Sequence, residues 1–571
     1  MNFSGPHPLL TVPAQDAATR FLRAHAAGAP LYPAGSFDAP AAVERRARKL
    51  DAWDGDRAAL AAWLAEENSA SRLGALHPAQ TENLTLASRS DALFVLTGQQ
   101  PGLLGGPSLG LHKALTAVAR AREAAALLNR PVIPVFWAAG DDSDLAESNA
   151  AEFLEPGVSP TSASLEFADP DAAIPMSRRF LTEEAVLRLR EQLPAAWPAA
   201  VRALALECYS PGRSLTEAFL RLMQHFLGPE GVLFVDGLSA ATRPAAQAVL
   251  RRVAEGSAAF NASLLRGTAR LRETLDLPAQ VPVRPGTVPI FLFENGIRVR
   301  LFASDSGRVY AAGDEGTDLR PSLSEKVLLH TALTRPLVVD TLFPALGHVL
   351  GPAELRYFGQ LADVFSEFGR SFPLLSPRRQ ALGVHRSALS ELEALGVQPG
   401  ELFDLRPSRV REHLTAEAWR DHPAARAFPD ADYRNFRAAL AAYQAGSFPG
   451  NKDGGSFEGA LRRLDRSFGN YREQARRLVF GERAAERFHA LQPLLRWLAG
   501  GLQDRHLNVL SLRAALGAEG FAAWVAFLGK PTKIDPRSDA ASVASGEDGT
   551  GGTMTLFVLE DSSGDEKGRV S

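Results

Sequence analysis

One segment restricts the possible folds of this chain more than any other: a short apolar run leads through a glycine-rich loop into a helical pattern. The apolar run is Leu93-Phe94-Val95-Leu96, which is typical of a buried parallel strand. Five glycines lie between residues 97 and 113, and a helical pattern covers residues 112–128. Because glycines let the backbone approach a ligand closely, this order of elements indicates an α/β protein with a ligand-binding loop.

The loop suits an anion, since main-chain N–H groups and a helix N-terminus attract phosphate or carboxylate. Lys113 at the start of the helix stands out because the chain has only seven lysines among its 62 Lys and Arg residues. The spacing of the glycines matches neither the P-loop nor the dinucleotide-binding pattern. The alternative is a tight strand-to-helix turn in which the glycines serve packing alone.

Length and composition exclude several classes of protein. A chain of 571 residues predicts two to four domains. A net charge of −3 argues against a nucleic-acid partner. No run of 18 apolar residues and no signal-peptide pattern is present, so we expect a cytoplasmic protein without a membrane partner. The single cysteine, Cys208, excludes an internal disulfide and a cysteine-rich zinc site, and we expect it to be a bystander.

Strand and helix patterns alternate after residue 90, and a second apolar run at Val132–Trp137 completes a right-handed β-α-β unit. Around Glu294-Asn295-Gly296 the pattern changes to an antiparallel hairpin. From this we predict five segments. They are an N-terminal helical arm (1–90), an α/β core (91–276 and 323–382), a β insert (277–322), a helical domain (383–530) and a disordered tail (531–571).

The helical domain contains a heptad pattern, which predicts that this helix packs on a partner helix. Its apolar positions step by three and four residues, as in a coiled coil. They are Leu461, Leu464, Phe468, Tyr471, Ala475 and Leu478. The partner is either another helix of this chain or a second copy.

Acidic side chains follow the second strand, at Asp141, Asp142 and Asp144. Ligands of open α/β sheets bind at this edge, beyond the carboxyl ends of the strands. One carboxylate could therefore face an amine, a ribose or Mg²⁺ while another caps the next helix. The alternative is a purely structural capping cluster for residues 145–153.

Two later segments carry further candidates. Gly351-Pro352 before Glu354 predicts a loop that feeds a helix, where N–H groups are free for an anion. Arg378 and Arg379 could close over phosphates, although a pair of arginines is also typical of a solvated surface.

Taken together, these motifs resemble one family in order and spacing: the cysteine ligase of bacillithiol biosynthesis, also called bacillithiol synthase. The resemblance covers about residues 20–530. The motifs are Thr97-Gly98-Gln99-Gln100-x-Gly102-Leu103, Gly106-Pro107 with His112-Lys113, Pro134-Val135-Phe136-Trp137 with Gly140-x-Asp142-x-Asp144, and Arg335-Pro336 with Gly351-Pro352-x-Glu354.

The resemblance implies a Rossmann-like parallel-sheet core similar to class I aminoacyl-tRNA synthetases. It also implies a connective-peptide-like β insert and a C-terminal helical coiled-coil domain that forms a homodimer. The implied reaction is the last step of bacillithiol biosynthesis, in which L-cysteine is added to glucosaminyl malate. ATP is the suspected energy donor and Mg²⁺ a possible companion, because a carboxylate and an amine do not condense unaided at neutral pH.

The resemblance also implies roles for individual residues. The catalytic residues are expected to be His112, Lys113, Asp142 and Asp144. The nucleotide or phosphate is expected at Thr97, Gly98, Gln99, Gln100, Gly102, Gly106 and Arg378. The substrates are expected at Trp137, Gly140, Asp141, Asn149, Arg335, Glu354 and Tyr357.

Two positions depart from the family pattern. The family reads Gly-x-Asp-His-Asp and, further on, Asn-His, whereas this chain has Ser143 and Ala150 where those histidines stand. Histidine titrates near neutral pH and serine does not. The departures leave an alternative function open: a catalytically silent homologue that binds a nucleotide or a sugar acid and acts as a coiled-coil scaffold or regulator.

Overall fold

The computed structural model describes residues 7–13, 16–25, 28–153, 161–394, 397–404, 407–420, 422–423, 430–447, 454–486, 508–531 and 553–559. These residues form two compact units. The first takes the described residues up to Gly383 and those between 508 and 559. The second takes the described residues from Val384 to 486.

Strands are numbered along the chain. They are β1 (His7–Pro13), β2 (Leu93–Gln99), β3 (Val132–Ala138), β4 (Ala150–Phe153), β5 (Thr161–Ser164), β6 (Leu233–Asp236), β7 (Thr287–Glu294), β8 (Ile297–Ala303), β9 (Val309–Ala311), β10 (Val327–His330), β11 (Ala345–Leu350), β12 (Leu374–Pro377), β13 (Gln380–His385) and β14 (Thr553–Leu559).

Helices of the first unit are α1 (Ala17–Ala24), α2 (Pro40–Leu50), α3 (Arg57–Glu67), α4 (Ala70–Leu73), α5 (Pro78–Ala87), α6 (Ser108–Leu128), α7 (Glu183–Gln192), α8 (Ala199–Cys208), α9 (Leu215–Leu227), α10 (Gly237–Ala241), α11 (Pro244–Glu255), α12 (Ser257–Leu275), α13 (Arg335–Leu342), α14 (Pro352–Phe358) and α15 (Ala362–Glu367). The second unit holds α16 (Arg386–Ala394), α17 (Pro407–Arg420), α18 (Asp430–Ser447) and α19 (Gly454–Arg483). The last helix described, α20 (Val509–Leu528), returns to the first unit. None of the described helices is long and apolar enough to span a bilayer.

A five-stranded parallel sheet forms the centre of the first unit, in the spatial order β12-β11-β2-β3-β6. Counted along the chain within this sheet, that order is 5-4-1-2-3, which is the doubly wound Rossmann arrangement. Alternate residues of β2 enter different core clusters, with Phe94 and Leu96 on one face and Leu93 and Val95 on the other. The predicted parallel sheet with a Rossmann-like core is therefore confirmed.

Helix α6 lies against β2 and β3, as the β-α-β pattern predicts. It begins at Ser108 rather than at the predicted residue 112, so Gly110 lies inside its first turn. Pro107 occupies the N-cap position, and its fixed φ suits a helix start. The predicted helix start is therefore wrong by four residues.

The β insert is an antiparallel sheet in the order β10-β7-β8-β9. Its predicted hairpin turn is confirmed: Glu294 pairs with Ile297, and Asn295 and Gly296 both have positive φ. The predicted end of the insert at residue 322 is wrong, because Val327–His330 adds a strand beside β7. Gln247 fixes this strand by bonding to both main-chain groups of Leu328.

Two other predicted boundaries are wrong. The helical domain does not run to residue 530, because α20 belongs to the first unit and packs on α6. The predicted disordered tail contains β14, which pairs antiparallel with β1 of the N-terminal arm. The alternating apolar residues Met554, Leu556 and Val558 carry a strand signal that the surrounding Gly, Ser and acidic residues obscure.

In the second unit the predicted heptad helix is present as α19. Phe468 stacks on Tyr433 of α18 with ring centroids 3.8 Å apart, and the Tyr433 hydroxyl donates to Asp465. Tyr471 and Leu478 of the same helix are 66% and 75% exposed. The helix itself is confirmed, whereas a coiled coil with a second copy stays a prediction.

Candidate functional site

The crevice of this sheet lies between β2 and β11, where the order of strands reverses. Lys113 of α6 reaches into it and gives its three N–H groups to three oxygens. Its Nζ lies 2.9 Å from the carbonyl oxygen of Gly98, 3.0 Å from Oε1 of Gln99 and 2.6 Å from Oε2 of Glu354. Lys113 therefore ties the end of β2 to the start of α14.

Glu354 is the centre of this group. Its Oε2 also accepts the N–H of Gly351 at 2.8 Å and so caps α14, which follows β11 directly. Its Oε1 lies 3.6 Å from Arg335, whose guanidinium also donates to the Tyr357 hydroxyl at 2.6 Å. Burial alone would raise the pKa of Glu354, but Lys113 and Arg335 outweigh it and hold the pKa below its usual value.

Arg378 lies at the same rim, with Nη1 3.0 Å from the point that a Cβ on Gly351 would occupy. We call Lys113, Arg335, Glu354 and Arg378 the basic crevice. Three cationic side chains and one carboxylate thus lie together at a ligand-binding edge. Such a site favours a phosphate or a carboxylate.

The neighbouring loop after β3 carries opposite charge. Asp142 accepts from Nη1 of Arg298 at 2.8 Å, from Nε2 of Gln100 at 2.9 Å and from the N–H of Ser143 at 2.7 Å. Burial would raise the pKa of Asp142, but these donors outweigh it and lower the pKa. Asp142 is therefore an ionised carboxylate that positions the loop and ties it to the β insert.

Asp141 points the other way, into a buried group that we call the Asp141 pocket: Trp137, Asp141, Gly237 and His330. Oδ2 of Asp141 lies 3.3 Å from Nδ1 of His330, and the rings of Trp137 and His330 are 5.5 Å apart. Burial raises the pKa of Asp141 to about 6 and lowers the pKa of His330 to about 3. The two adjacent aspartates thus have different environments, as the predicted division of roles requires.

Sequence reasoning missed Arg298, Gly237 and His330. Arg298 lies on an alternating strand, and His330 ends an apolar strand of the insert. A polar residue at a strand end is a weak signal by itself. Nothing in the spacing connects either residue to Asp141, which precedes them by more than a hundred positions.

His112 does not face the basic crevice. It is fully buried, and its Nε2 lies 3.3 Å from Nε1 of Trp524, which donates to it from α20. Adjacent residues on a helix point about 100° apart, so Lys113 and His112 serve different faces of α6. The predicted role of His112 beside a phosphoryl group is therefore wrong for this arrangement.

Main-chain N–H groups of the glycine loop donate hydrogen bonds to other groups of the protein. The N–H of Leu103 donates to the carbonyl of Ser148 at 2.8 Å, that of Gly105 to the Tyr209 hydroxyl at 3.2 Å and that of Gly106 to Leu103 at 3.0 Å. A Cβ on Gly102 would lie 2.6 Å from the Cα of Gly106. These contacts favour the packing alternative, and the predicted phosphate contacts of Gly102 and Gly106 are not supported.

Other predicted site residues have structural partners. The Thr97 hydroxyl donates to the carbonyl of Val349 and so links β2 to β11. The amide of Asn149 donates to Leu165, away from both groups. A Cβ on Gly140 would lie 2.1 Å from Oγ of Ser177, so this glycine serves close packing. Asp144 is exposed, in contrast to its predicted catalytic role.

The structure therefore gathers about half of the predicted site at one sheet edge. The residues it brings together are Gly98, Gln99, Gln100, Lys113, Trp137, Asp141, Asp142, Arg335, Glu354, Tyr357 and Arg378.

The described residues also show how possible metal ligands are arranged and where the single thiol lies. No group of three or more His, Cys, Asp or Glu residues is arranged there to hold a metal ion. Cys208 is buried, and burial raises its pKa to about 12, so it remains a thiol at neutral pH.

Comparison with known proteins agrees with the fold. A family model described as "Bacillithiol biosynthesis BshC, N-terminal Rossmann-like domain" matches residues 10–379. Relatives named "Putative cysteine ligase BshC" include those of Symbiobacterium thermophilum (32% identical over 366 residues, 59% of this chain and 64% of the relative) and Carboxydothermus hydrogenoformans (29% over 341 residues, 58% and 62%). Another is from Salinibacter ruber (30% over 325 residues, 55% and 58%).

These matches span about three fifths of the length of each relative. The family model alone covers more than half of this chain and falls on the unit that holds the sheet and both charged groups. The chain therefore belongs to the bacillithiol biosynthesis BshC family.

Proposed function

We propose that this chain is a ligase that joins the carboxylate of L-cysteine to the amine of glucosaminyl malate, in the last step of bacillithiol biosynthesis. One observation carries the proposal. The basic crevice and the acidic Asp141 pocket lie at the carboxyl edge of one sheet, with Arg335 close enough to act on the charges of both Glu354 and Asp141. A site with a cationic half and an anionic half suits a reaction between an anionic group and an amine.

The reaction needs an energy donor, and we propose ATP. When bound, ATP would convert the cysteine carboxylate into a group that an amine can attack. Arg335 and Arg378 would hold the phosphates, Lys113 would add its positive charge to the site, and any Mg²⁺ would accompany the nucleotide. Fixed cations that face developing negative charge typically change rates by about 10²- to 10³-fold each.

The test is product formation from L-cysteine, glucosaminyl malate and ATP, with the amide product and the released nucleotide identified by mass spectrometry. We expect the wild-type chain to form the amide and Lys113→Met to reduce turnover by about 10²-fold or more. The matched control is Lys326→Met. Lys326 also bonds a glutamate at 2.6 Å, Oε1 of Glu294, but this pair is partly exposed and is not part of the basic crevice.

Equal turnover of Lys113→Met and Lys326→Met would contradict the assignment of the crevice. No amide product from the folded wild-type chain with any nucleoside triphosphate would contradict the function itself.

A second candidate function rests on Ser143 and Ala150. Ser143 adjoins Asp142 and Ala150 is exposed at the start of β4, so the chain lacks the two histidines that the family pattern described above has at these positions. Loss of proton-transfer groups would leave a protein that binds ligands without converting them. If wild-type turnover is absent and the double variant Ser143→His, Ala150→His restores it, catalysis has been lost in this homologue; no gain would favour a binding or scaffolding role.

We also propose that the second unit forms a homodimer. The exposed Tyr471 and Leu478 continue the heptad pattern of α19, and large apolar side chains at that spacing are typical of a helix that packs on another.

A further inference from the structure

The Asp141 pocket contains polar atoms that no described group satisfies. Oδ1 of Asp141, Nε1 of Trp137 and Nε2 of His330 are all buried without a hydrogen-bond partner among the described residues. The three side chains are 3%, 2% and 3% exposed. An unpaired buried polar atom is costly, and native proteins rarely leave several in one place.

Gly237 makes room at this cluster. A Cβ on Gly237 would lie 2.5 Å from Oδ1 of Asp141 and 2.8 Å from Nε1 of Trp137. Any side chain at position 237 would therefore push against both unpaired atoms. Gly237 is the first residue of α10, and only glycine at this position leaves the two unpaired atoms uncovered.

The chemistry of the unpaired atoms defines what they can bind. Nδ1 of His330 faces Oδ2 of Asp141, so the ring proton belongs on Nδ1 and Nε2 carries a lone pair. Burial and the nearby Arg335 keep this ring neutral by lowering its pKa. The pocket therefore offers two acceptors, one of them on a carboxylate, and one indole N–H donor.

Among the described residues no arginine or lysine forms an ion pair with the Asp141 carboxylate, although Arg298 and Arg335 act on its charge from a longer distance. Arg298 bonds to Asp142, and Arg335 bonds to Tyr357 and lies beside Glu354. No described cation forms an ion pair with Oδ1 of Asp141. A ligand with a positive charge and several N–H groups would supply what is missing.

We propose that the Asp141 pocket binds the primary ammonium group of a substrate, with Oδ1 of Asp141 and Nε2 of His330 accepting its N–H groups and Nε1 of Trp137 donating to an oxygen of the same molecule. The inference rests on the proposed function. Both L-cysteine and glucosaminyl malate carry such an ammonium group with an oxygen nearby, so either could occupy the pocket.

The test is isothermal titration calorimetry of the full chain with L-cysteine and, separately, with glucosaminyl malate. Asp141→Asn removes the charge with little change in shape, and Gly237→Ala fills the cleft. We expect both variants to weaken binding of the same one of the two ligands by about 10- to 100-fold. The affected ligand identifies the source of the ammonium group.

Matched controls separate this effect from general damage. Glu166→Gln removes a carboxylate that is largely exposed on the same unit, and Gly469→Ala adds a methyl group where no atom lies within 4 Å. Both controls should bind as the wild type does. A further probe is 3-mercaptopropionate, which is cysteine without its ammonium group. If cysteine is the occupant, this probe should bind at least about 10-fold more weakly than cysteine.

Binding should also depend on pH, because an ammonium group needs the ionised carboxylate. We expect affinity for the occupant to rise between about pH 5 and about pH 7.5 in the wild type and to rise less in Asp141→Asn, where the remaining titrating carboxyl group beside Gly237 is Asp236, whose pKa burial raises to about 7.

The outcomes separate the two proposals. Ammonium-dependent binding that Asp141→Asn weakens, without any amide product, supports the pocket and contradicts the ligase. Turnover with unchanged affinities for both ligands in Asp141→Asn and Gly237→Ala overturns the pocket and leaves the ligase standing. Binding of neither ligand by the wild type overturns both.

Discussion

Lys113 and Glu354 show how single residues connect the fold to the site. Each is more than four-fifths buried, and together they join β2, β11 and α14 at the crevice. Removing the charge of Lys113 takes away the shortest ion pair of the buried Glu354 and leaves Arg335 at 3.6 Å, so the cost of burying this carboxylate is offset less well.

We therefore predict that Lys113→Met lowers the free energy of unfolding by about 3–5 kcal/mol, and that Lys326→Met lowers it by less than about 1 kcal/mol. Adding Glu354→Gln to Lys113→Met should recover part of the loss, because the buried carboxylate that has lost its shortest ion pair is then gone. Urea denaturation of the single and double variants measures this. Strictly additive losses would contradict a coupled buried pair.

The pKa shifts in the Asp141 pocket predict opposite pH dependences for two neighbouring residues. Burial raises the pKa of Asp141 from 3.8 to about 6, so the folded chain holds this proton to a higher pH than the unfolded chain does. Its contribution to stability therefore falls as pH rises between 3.8 and about 6. Burial lowers the pKa of His330 from 6.5 to about 3, so its contribution falls as pH drops through that range.

Asp141→Asn should thus gain stability relative to the wild type as pH rises from about 4 to about 6, and His330→Gln should gain as pH falls over the same interval. Denaturation curves at several pH values give both differences. Differences that do not change with pH in either variant would refute the two burial shifts.

At the scale of single residues, the sequence predicts which residues lie at the site better than it predicts where their side chains point. It singles out Lys113 and the aspartates after β3, because lysine is scarce and strand ends are ligand sites, and the structure places Lys113, Asp141 and Asp142 at one edge of the sheet. It could not tell that His112 turns to Trp524 while Lys113 turns to Glu354, since the helix start was placed four residues late and the contact with α20 spans about 400 positions. His330 and Arg298 were missed for the same reason: their partner lies far away in the chain.

Among the elements, the glycine loop between β2 and α6 departs most from expectation. The N–H groups of Leu103, Gly105 and Gly106 donate to Ser148, Tyr209 and Leu103 respectively, and Asn508 donates to the carbonyl of Leu103. The loop is therefore a packing device that fixes where α6 starts and hence where Lys113 points. Composition alone does not distinguish a packed loop from an anion-binding loop, because both need glycine.

Gly105 allows this interpretation to be tested. It has φ +87°, and a Cβ there would lie 3.1 Å from Cβ of Val509 and 3.3 Å from Cδ2 of Leu222. Gly212 has φ +82° but open space around it. We predict a loss of about 1–2 kcal/mol for Gly212→Ala from backbone strain, and a further loss of about 1–3 kcal/mol for Gly105→Ala from crowding.

Thermal and urea denaturation of the two alanine variants measures the difference directly. Equal losses would mean that the loop is not packed against Val509 and Leu222, and the anion-binding interpretation would regain support.

For the whole molecule, alternation of strands and helices was enough to predict a parallel α/β core with an antiparallel insert. The predicted domain boundaries are wrong where segments that are far apart in the sequence pack together. Helix α20 lies on α6 after the chain has passed through the second unit, and β14 pairs with β1 across nearly the full length of the chain. Local patterns contain no information about such pairings.

The proposed dimer is a prediction at this scale. Tyr471→Glu together with Leu478→Glu should convert a dimer into a monomer, since two charges would be buried in the contact. Leu265→Glu is the control, because Leu265 is an exposed leucine of the first unit. Sedimentation velocity distinguishes the species. A wild type that sediments as a monomer at every concentration, or a double variant that still dimerises, would contradict the proposed contact.

The central claim is that the two charged groups at the carboxyl edge of the parallel sheet form one substrate site. A crystal structure of the wild-type chain soaked with L-cysteine and glucosaminyl malate tests it most directly. We expect ligand density that contacts Lys113, Arg335 or Arg378 on one side and Asp141 on the other. Well-defined density for either ligand at a different surface, with both charged groups left untouched, would contradict it.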